Sequence, residues 1–148
     1  MTRAELLDFL RSHRHAVEAT VAVDGGVQAA VVGIAISDEF EVVFDTLETT
    51  RKAANLAGEP RIALVIGGVL DGEERTAQYE GVADRPEGAD LAGVREQYFG
   101  TFPDGRERLN WPGIIHIRVK PRWLRYSDYG VDPPLIIELD AAGLGSLA

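Results

Sequence analysis

The stretch Val27–Ile36, VQAAVVGIAI, limits the fold more than any other in this chain. Ten residues run with Gln28 as their one polar side chain. They follow Asp24-Gly25-Gly26, a strong hairpin signal that makes them the return strand of a β-hairpin begun by Ala16–Val23. Successive side chains of a strand point to opposite faces. A strand apolar on both faces is therefore covered on both faces. The hydrophobic core covers one, and a partner subunit or a flat ligand is expected on the other. Gly33 inside this strand marks a bulge that curves a barrel, or a point where a ligand comes close.

The remaining elements also favour antiparallel sheet. Arg3–His13 carries Leu6, Leu7, Phe9 and Leu10 on helical spacing, and Thr2 with Glu5 forms a capping-box pattern. Further strands are expected at Phe40–Phe44, Arg61–Gly67, Arg75–Ala83 and Ile114–Arg125. In Arg75–Ala83, alternation puts Thr76, Gln78 and Glu80 on one face, with Ala77 and Tyr79 on the other. In Ile114–Arg125 it separates Ile115, Ile117 and Val119 from His116, Arg118 and Lys120. A helix is expected over Pro86–Phe99 and a polar loop over Thr101–Pro112. LIIELD, Leu135–Asp140, reads as an edge strand or an arm reaching a partner, and the final AAGLGSLA as loose. These features predict a mainly β, α+β domain: a six-stranded antiparallel barrel with three peripheral helices over residues 1–130, and a C-terminal extension over 131–148.

The segment Val42–Leu56, VVFDTLETTRKAANL, carries the most chemistry. A buried strand turns through Asp45–Glu48 into a helix whose first turn brings Thr49, Thr50, Arg51 and Lys52. Helix starts expose unpaired N–H donors and the positive end of the helix dipole. Two hydroxyls and two cations beside them suit an anion such as a phosphate group. A threonine-capped surface helix accounts for the same residues without a ligand.

Charge and composition exclude several classes. A net charge of −9 disfavours general binding to nucleic acid or to anionic membrane. The absence of cysteine removes disulfides, thiolate metal sites and a Cys nucleophile. With no membrane-length apolar run and no signal-peptide pattern near Met1, a cytoplasmic protein is expected. His13 and His15 read as loop histidines in solvent. No nucleotide-binding glycine motif, nucleophile elbow or zinc-protease motif is present.

The order of elements, with FDTLETTRKAANLAGEPRIALVIGG at Phe44–Gly68, resembles the pyridoxamine 5′-phosphate oxidase-like family of FMN-binding split barrels. The resemblance covers about Leu6 to Tyr126 and implies a homodimer with FMN at its interface. It implies that Thr46, Thr50, Arg51 and Lys52 hold the FMN phosphate. It places the flavin ring near Val31, Val32 and Gly33, with Thr76 or Gln78 reaching it across the interface. Trp111, Trp123 and Arg125 are the implied aromatic and cationic groups from the partner, with Trp123 on the last barrel strand. The chain departs from the oxidases proper in having Ala29-Ala30 where they carry an FMN-binding Arg, and in lacking their C-terminal Arg-x-His pattern. Pyridoxamine phosphate is thus not the expected substrate. An FMN-dependent oxidoreductase acting on a small molecule is the leading expectation. A non-catalytic binding or sensor protein on the same fold, holding haem, a deazaflavin or nothing, is the alternative.

Overall fold

The computed structural model describes residues 1–148. Eight strands form one antiparallel sheet: β1 (His15–Val21), β2 (Val27–Gly33), β3 (Ala35–Ile36), β4 (Val42–Leu47), β5 (Arg61–Ile66), β6 (Arg75–Asp84), β7 (Ile114–Asp128) and β8 (Leu135–Asp140). Five helices accompany them: α1 (Arg3–Arg11), α2 (Arg51–Gly58), α3 (Gly88–Thr101), α4 (Gly105–Arg108) and α5 (Ala141–Ser146). None is long and apolar enough to cross a membrane.

The strand order is β2-β1-β5-β6-β7-β4-β3, with β8 added beside β7. The ends of this path, β2 and β3, are separated in sequence by Ile34 alone. The sheet must therefore curl until its two edges approach, which gives a split barrel. This also revises the reading of Val27–Ile36 as one strand. Its first part pairs with β1 and its last two residues pair with β4, so the run switches partners at Ile34. The Ile34 N–H still bonds Arg14 O at 2.9 Å, one step beyond the His15–Gly33 pair, so the switch comes immediately after the β1–β2 ladder ends. An uninterrupted apolar run carries no mark of such a switch.

The barrel interior is packed by inward residues of every long strand, among them Val42, Phe44, Ile62, Leu64, Ile66, Tyr79, Ile117, Val119 and Leu124. Helix α1 closes one side with Leu6, Leu7, Phe9 and Leu10. Its capping box is formed as the sequence indicated. Outside the barrel, α3 covers β4 and β7 with Val94, Tyr98 and Phe99 against Ala35 and Val43.

Three expectations are revised. The strand count is eight rather than six, and two short helices join the expected three. The sequence left open what lies on the His116 side of β7; α3 packs there and leaves His116 1% exposed. His13 is not free in solvent: Nδ1 sits 2.9 Å from Phe9 O, and Nε2 bonds the Glu73 carboxylate, tying the 67–74 loop to α1. The final residues are not loose. Asp140 caps α5, Leu144 is 2% exposed in the main core, and Ala148 O accepts from Arg3 N.

Candidate functional site

Strand β4 continues through Asp45 and Thr46 before the chain turns, so these neighbours point to opposite faces. Thr46 points inward and is buried. Asp45 points out, beneath α3, where Tyr98 Oη donates to it at 3.0 Å and Arg108 Nε at 2.7 Å. The Asp45 charge is thereby neutralised away from the α2 start.

Thr50 is the N-cap of α2, with extended backbone (φ −74°, ψ 155°). Its hydroxyl donates to Leu47 O at 2.9 Å and accepts from the Ala53 N–H at 3.4 Å. With that proton committed, Thr46 Oγ1, 3.0 Å away, donates to Thr50 Oγ1. Both hydroxyls thus spend their protons internally. The donors left for an anion are first-turn N–H groups, which have no intrahelical acceptors, and the two cations. Arg51 is exposed and takes part in no ion pair. Lys52 lies inward, its side chain 17% exposed and Nζ 3.9 Å from Glu18 Oε1.

The other expected residues fall in different places. Gln78 and Trp123 share a shallow depression of about 200 Å³ on the outer face of the sheet, with Val17, Ala19, Ala63 and Val65. Thr76 donates its hydroxyl to Gly67 O at 3.2 Å. Val32 belongs to the barrel core. Gly33 has no ligand-sized space beside it: a Cβ there would meet Phe102 Cζ at 3.0 Å. The close approach that its glycine signalled is made by the ring following α3. The structure therefore gathers Thr46, Thr50, Arg51 and Lys52 at one cradle and Gln78 with Trp123 at a second place. Val32 faces the core and Gly33 lies against Phe102.

The outer face around the depression is apolar. Registry aligns Val31, Val17 and Val65 in one row and Ala29, Ala19 and Ala63 in the next. Val27 is 78% exposed and Val31 67%. No three His, Asp or Glu side chains are grouped to hold a metal ion.

Glu18 was not singled out from the sequence, although its signal is present. On β1 the apolar residues Val17, Ala19 and Val21 face outward, while Glu18 and Thr20 face inward and are buried. That polarity is inverted for a strand with one core face.

A sequence model of the pyridoxamine 5′-phosphate oxidase family matches residues 2–127. The chain belongs to that family. No curated protein matches the sequence. Solved structures share the family's barrel at low identity. A heme binding protein from Mycobacterium smegmatis aligns with a TM-score of 0.83 and 18% identity, over 99% of this chain and 61% of that one. The chain thus spans about 61% of that protein's length. HutZ, a heme storage protein from Vibrio cholerae, aligns with a TM-score of 0.70 and 16% identity, over 80% of this chain and 89% of that one. General Stress Protein 26 from Bacillus anthracis aligns with a TM-score of 0.68 and 22% identity, over 93% and 98%. At these identities the likeness is one of fold.

Proposed function

We propose that this chain is a homodimeric FMN-binding flavoprotein, an oxidoreductase acting on a small organic molecule. The observation that carries the reading is Arg51, an unpaired cation beside the open first turn of α2, with Thr50 as its cap. These residues fit a phosphate. Arg51 supplies charge-assisted hydrogen bonds and the first-turn N–H groups supply fixed donors. Lys52 is the second cation, shared with Glu18. Gln78 and Trp123, on the outer sheet face, are the groups offered to a flavin ring held by the partner's cradle. That face supports the dimer, because valine and alanine rows left in water favour association. When bound, the flavin supplies the hydride or electron transfer, and the protein supplies binding and orientation.

The haem proteins among the structural neighbours support a second reading, a haem-binding protein on the same barrel. Its weak point is ligation. His116 is sealed under α3 and His13 is engaged by Glu73, which leaves His15 as the exposed imidazole.

The visible absorption spectrum of the purified protein, followed by titration with FMN, separates the readings. A flavin band, or saturable uptake of FMN, is expected. A colourless protein that takes up no FMN overturns the flavoprotein reading. An intense Soret band and uptake of haem in its place would favour the second.

A further inference from the structure

The α2 cradle contains an anion of its own. Glu18 projects inward from β1 and is 2% exposed. Its Oε1 lies 3.9 Å from Lys52 Nζ, and its Oε2 has no hydrogen-bond partner. The surroundings offer no other charge. Across the ladders Glu18 faces Ala30 on β2 and Leu64 on β5. The next inward residue, Thr20, accepts from Asn55 of α2 at 3.0 Å, and the same amide reaches Gln28 at 3.3 Å. Lys52 is thus the one cation facing a buried carboxylate. Burial raises the carboxyl's proton affinity and Lys52 opposes this. A buried charge held by one long ion pair and lacking further hydrogen bonds is a poorly compensated group. An anion arriving at the α2 start meets one free cation, Arg51, and a second already partnered.

We propose that Glu18 is a specificity-determining residue: it competes with an incoming phosphate for Lys52, and so limits the preference for a phosphorylated ligand over its unphosphorylated form. The proposal rests on the flavin reading above. Lys52 cannot give its full charge to a phosphate while it neutralises Glu18. If it turns to the phosphate, the Glu18 charge is left buried and unpaired. Either arrangement weakens anion binding and leaves a neutral ligand unaffected. Replacing Glu18 with a neutral side chain releases Lys52.

The test measures FMN and riboflavin affinities by flavin-fluorescence titration in the wild-type chain, in Glu18→Gln and in Glu18→Leu. The two ligands differ by the phosphate. Both variants are expected to bind FMN about tenfold more tightly, the scale of one partly buried charge interaction. Riboflavin affinity should stay the same, so the FMN-to-riboflavin ratio rises. A ratio that does not change overturns the proposal, since a purely structural Glu18 moves both ligands together. A ratio that falls overturns it as well, because Glu18 would then be helping to hold the phosphorylated ligand. If the wild-type chain binds neither flavin, the flavoprotein reading fails on its own account. Inorganic phosphate, followed through the Arg51 and Lys52 amide resonances, then decides the Glu18 question. Tighter phosphate binding in Glu18→Gln upholds the competition, and equal or absent binding in both chains overturns it.

Discussion

His116 on β7 stands directly across the ladder from Asp45 on β4, yet the two do not bond. Asp45 is taken by Tyr98 and Arg108, and both ring nitrogens of His116 lack partners. The Tyr98 and Phe99 rings approach the imidazole edge-on at 5.7 and 5.8 Å. Burial, aided by the positive charges of Arg95 and Arg108, holds the His116 proton affinity below the ordinary value, against the pull of Asp45.

That arrangement sets a pH dependence. Below about pH 6.5, where a free imidazole takes up a proton, the unfolded chain binds more protons than the folded one. Stability therefore rises with pH through this window. The His116 contribution is fully present above pH 6.5 and is lost as the pH falls through the lowered folded value. His116→Leu should flatten this part of the profile. Thermal midpoints of both chains across pH steps check it. Carboxylates also titrate at low pH, so the difference between the chains isolates His116.

The Asp45–Arg108 pair should behave as a coupled unit. The two side chains are 12% and 18% exposed and joined at 2.7 Å. Tyr98, which donates to the same carboxylate, has its hydroxyl pKa pushed up to about 12 by burial and by Asp45. Arg108→Met leaves a largely buried carboxylate without its cation and should cost about 3 kcal/mol. The double variant with Asp45→Leu should cost less than Arg108→Met alone, since no orphaned charge remains. Urea denaturation of the single and double variants measures the coupling.

The same residues show how far the sequence could be read. Alternation along Ile114–Arg125 correctly sorted Ile115, Ile117 and Val119 from His116 and Arg118. It could not reveal that α3 covers the second face, because cover depends on where a distant helix docks. The curl of the sheet was hidden in Val27–Ile36 for a similar reason: partner choice is tertiary. The cradle residues were legible because strand, cap and helix start are contiguous in sequence. The pairing of Lys52 with Glu18 was not, since 34 positions separate them. The tail was misread because small residues such as Ala141 and Gly143 suggest looseness, whereas the Asp140 cap and a single buried Leu144 anchor it.

If the valine and alanine rows on the outer sheet face form the dimer interface, a charge at their centre should split the dimer. Ala63 lies between Ala19 and Glu80 across the ladders and is exposed. Ala63→Arg should leave the fold intact, because the side chain points away from the core. Light scattering at micromolar concentration should give a dimer for the wild-type chain and a monomer for the variant. A wild-type monomer would remove this interface, and with it the placing of Gln78 and Trp123 beside a partner's flavin.

Arg51 and Thr50 should separate binding from folding at the α2 start. Arg51 is exposed and unpaired, so Arg51→Ala removes a ligand contact without breaking an internal one. FMN affinity should fall about tenfold to a hundredfold, the scale of a charge-assisted hydrogen bond, with the thermal midpoint unchanged. Thr50 bonds Leu47 O and caps the Ala53 N–H. Thr50→Ala should therefore lower stability by about 1 kcal/mol, the usual cost of a lost N-cap, and disturb Thr46 as well. Its effect on binding should come with that loss of stability, whereas the effect of Arg51→Ala should come alone. Calorimetric titration beside thermal melts of the two variants tests this. If Arg51→Ala leaves FMN affinity as it was, the phosphate is held elsewhere on the barrel and the cradle is only a capped helix.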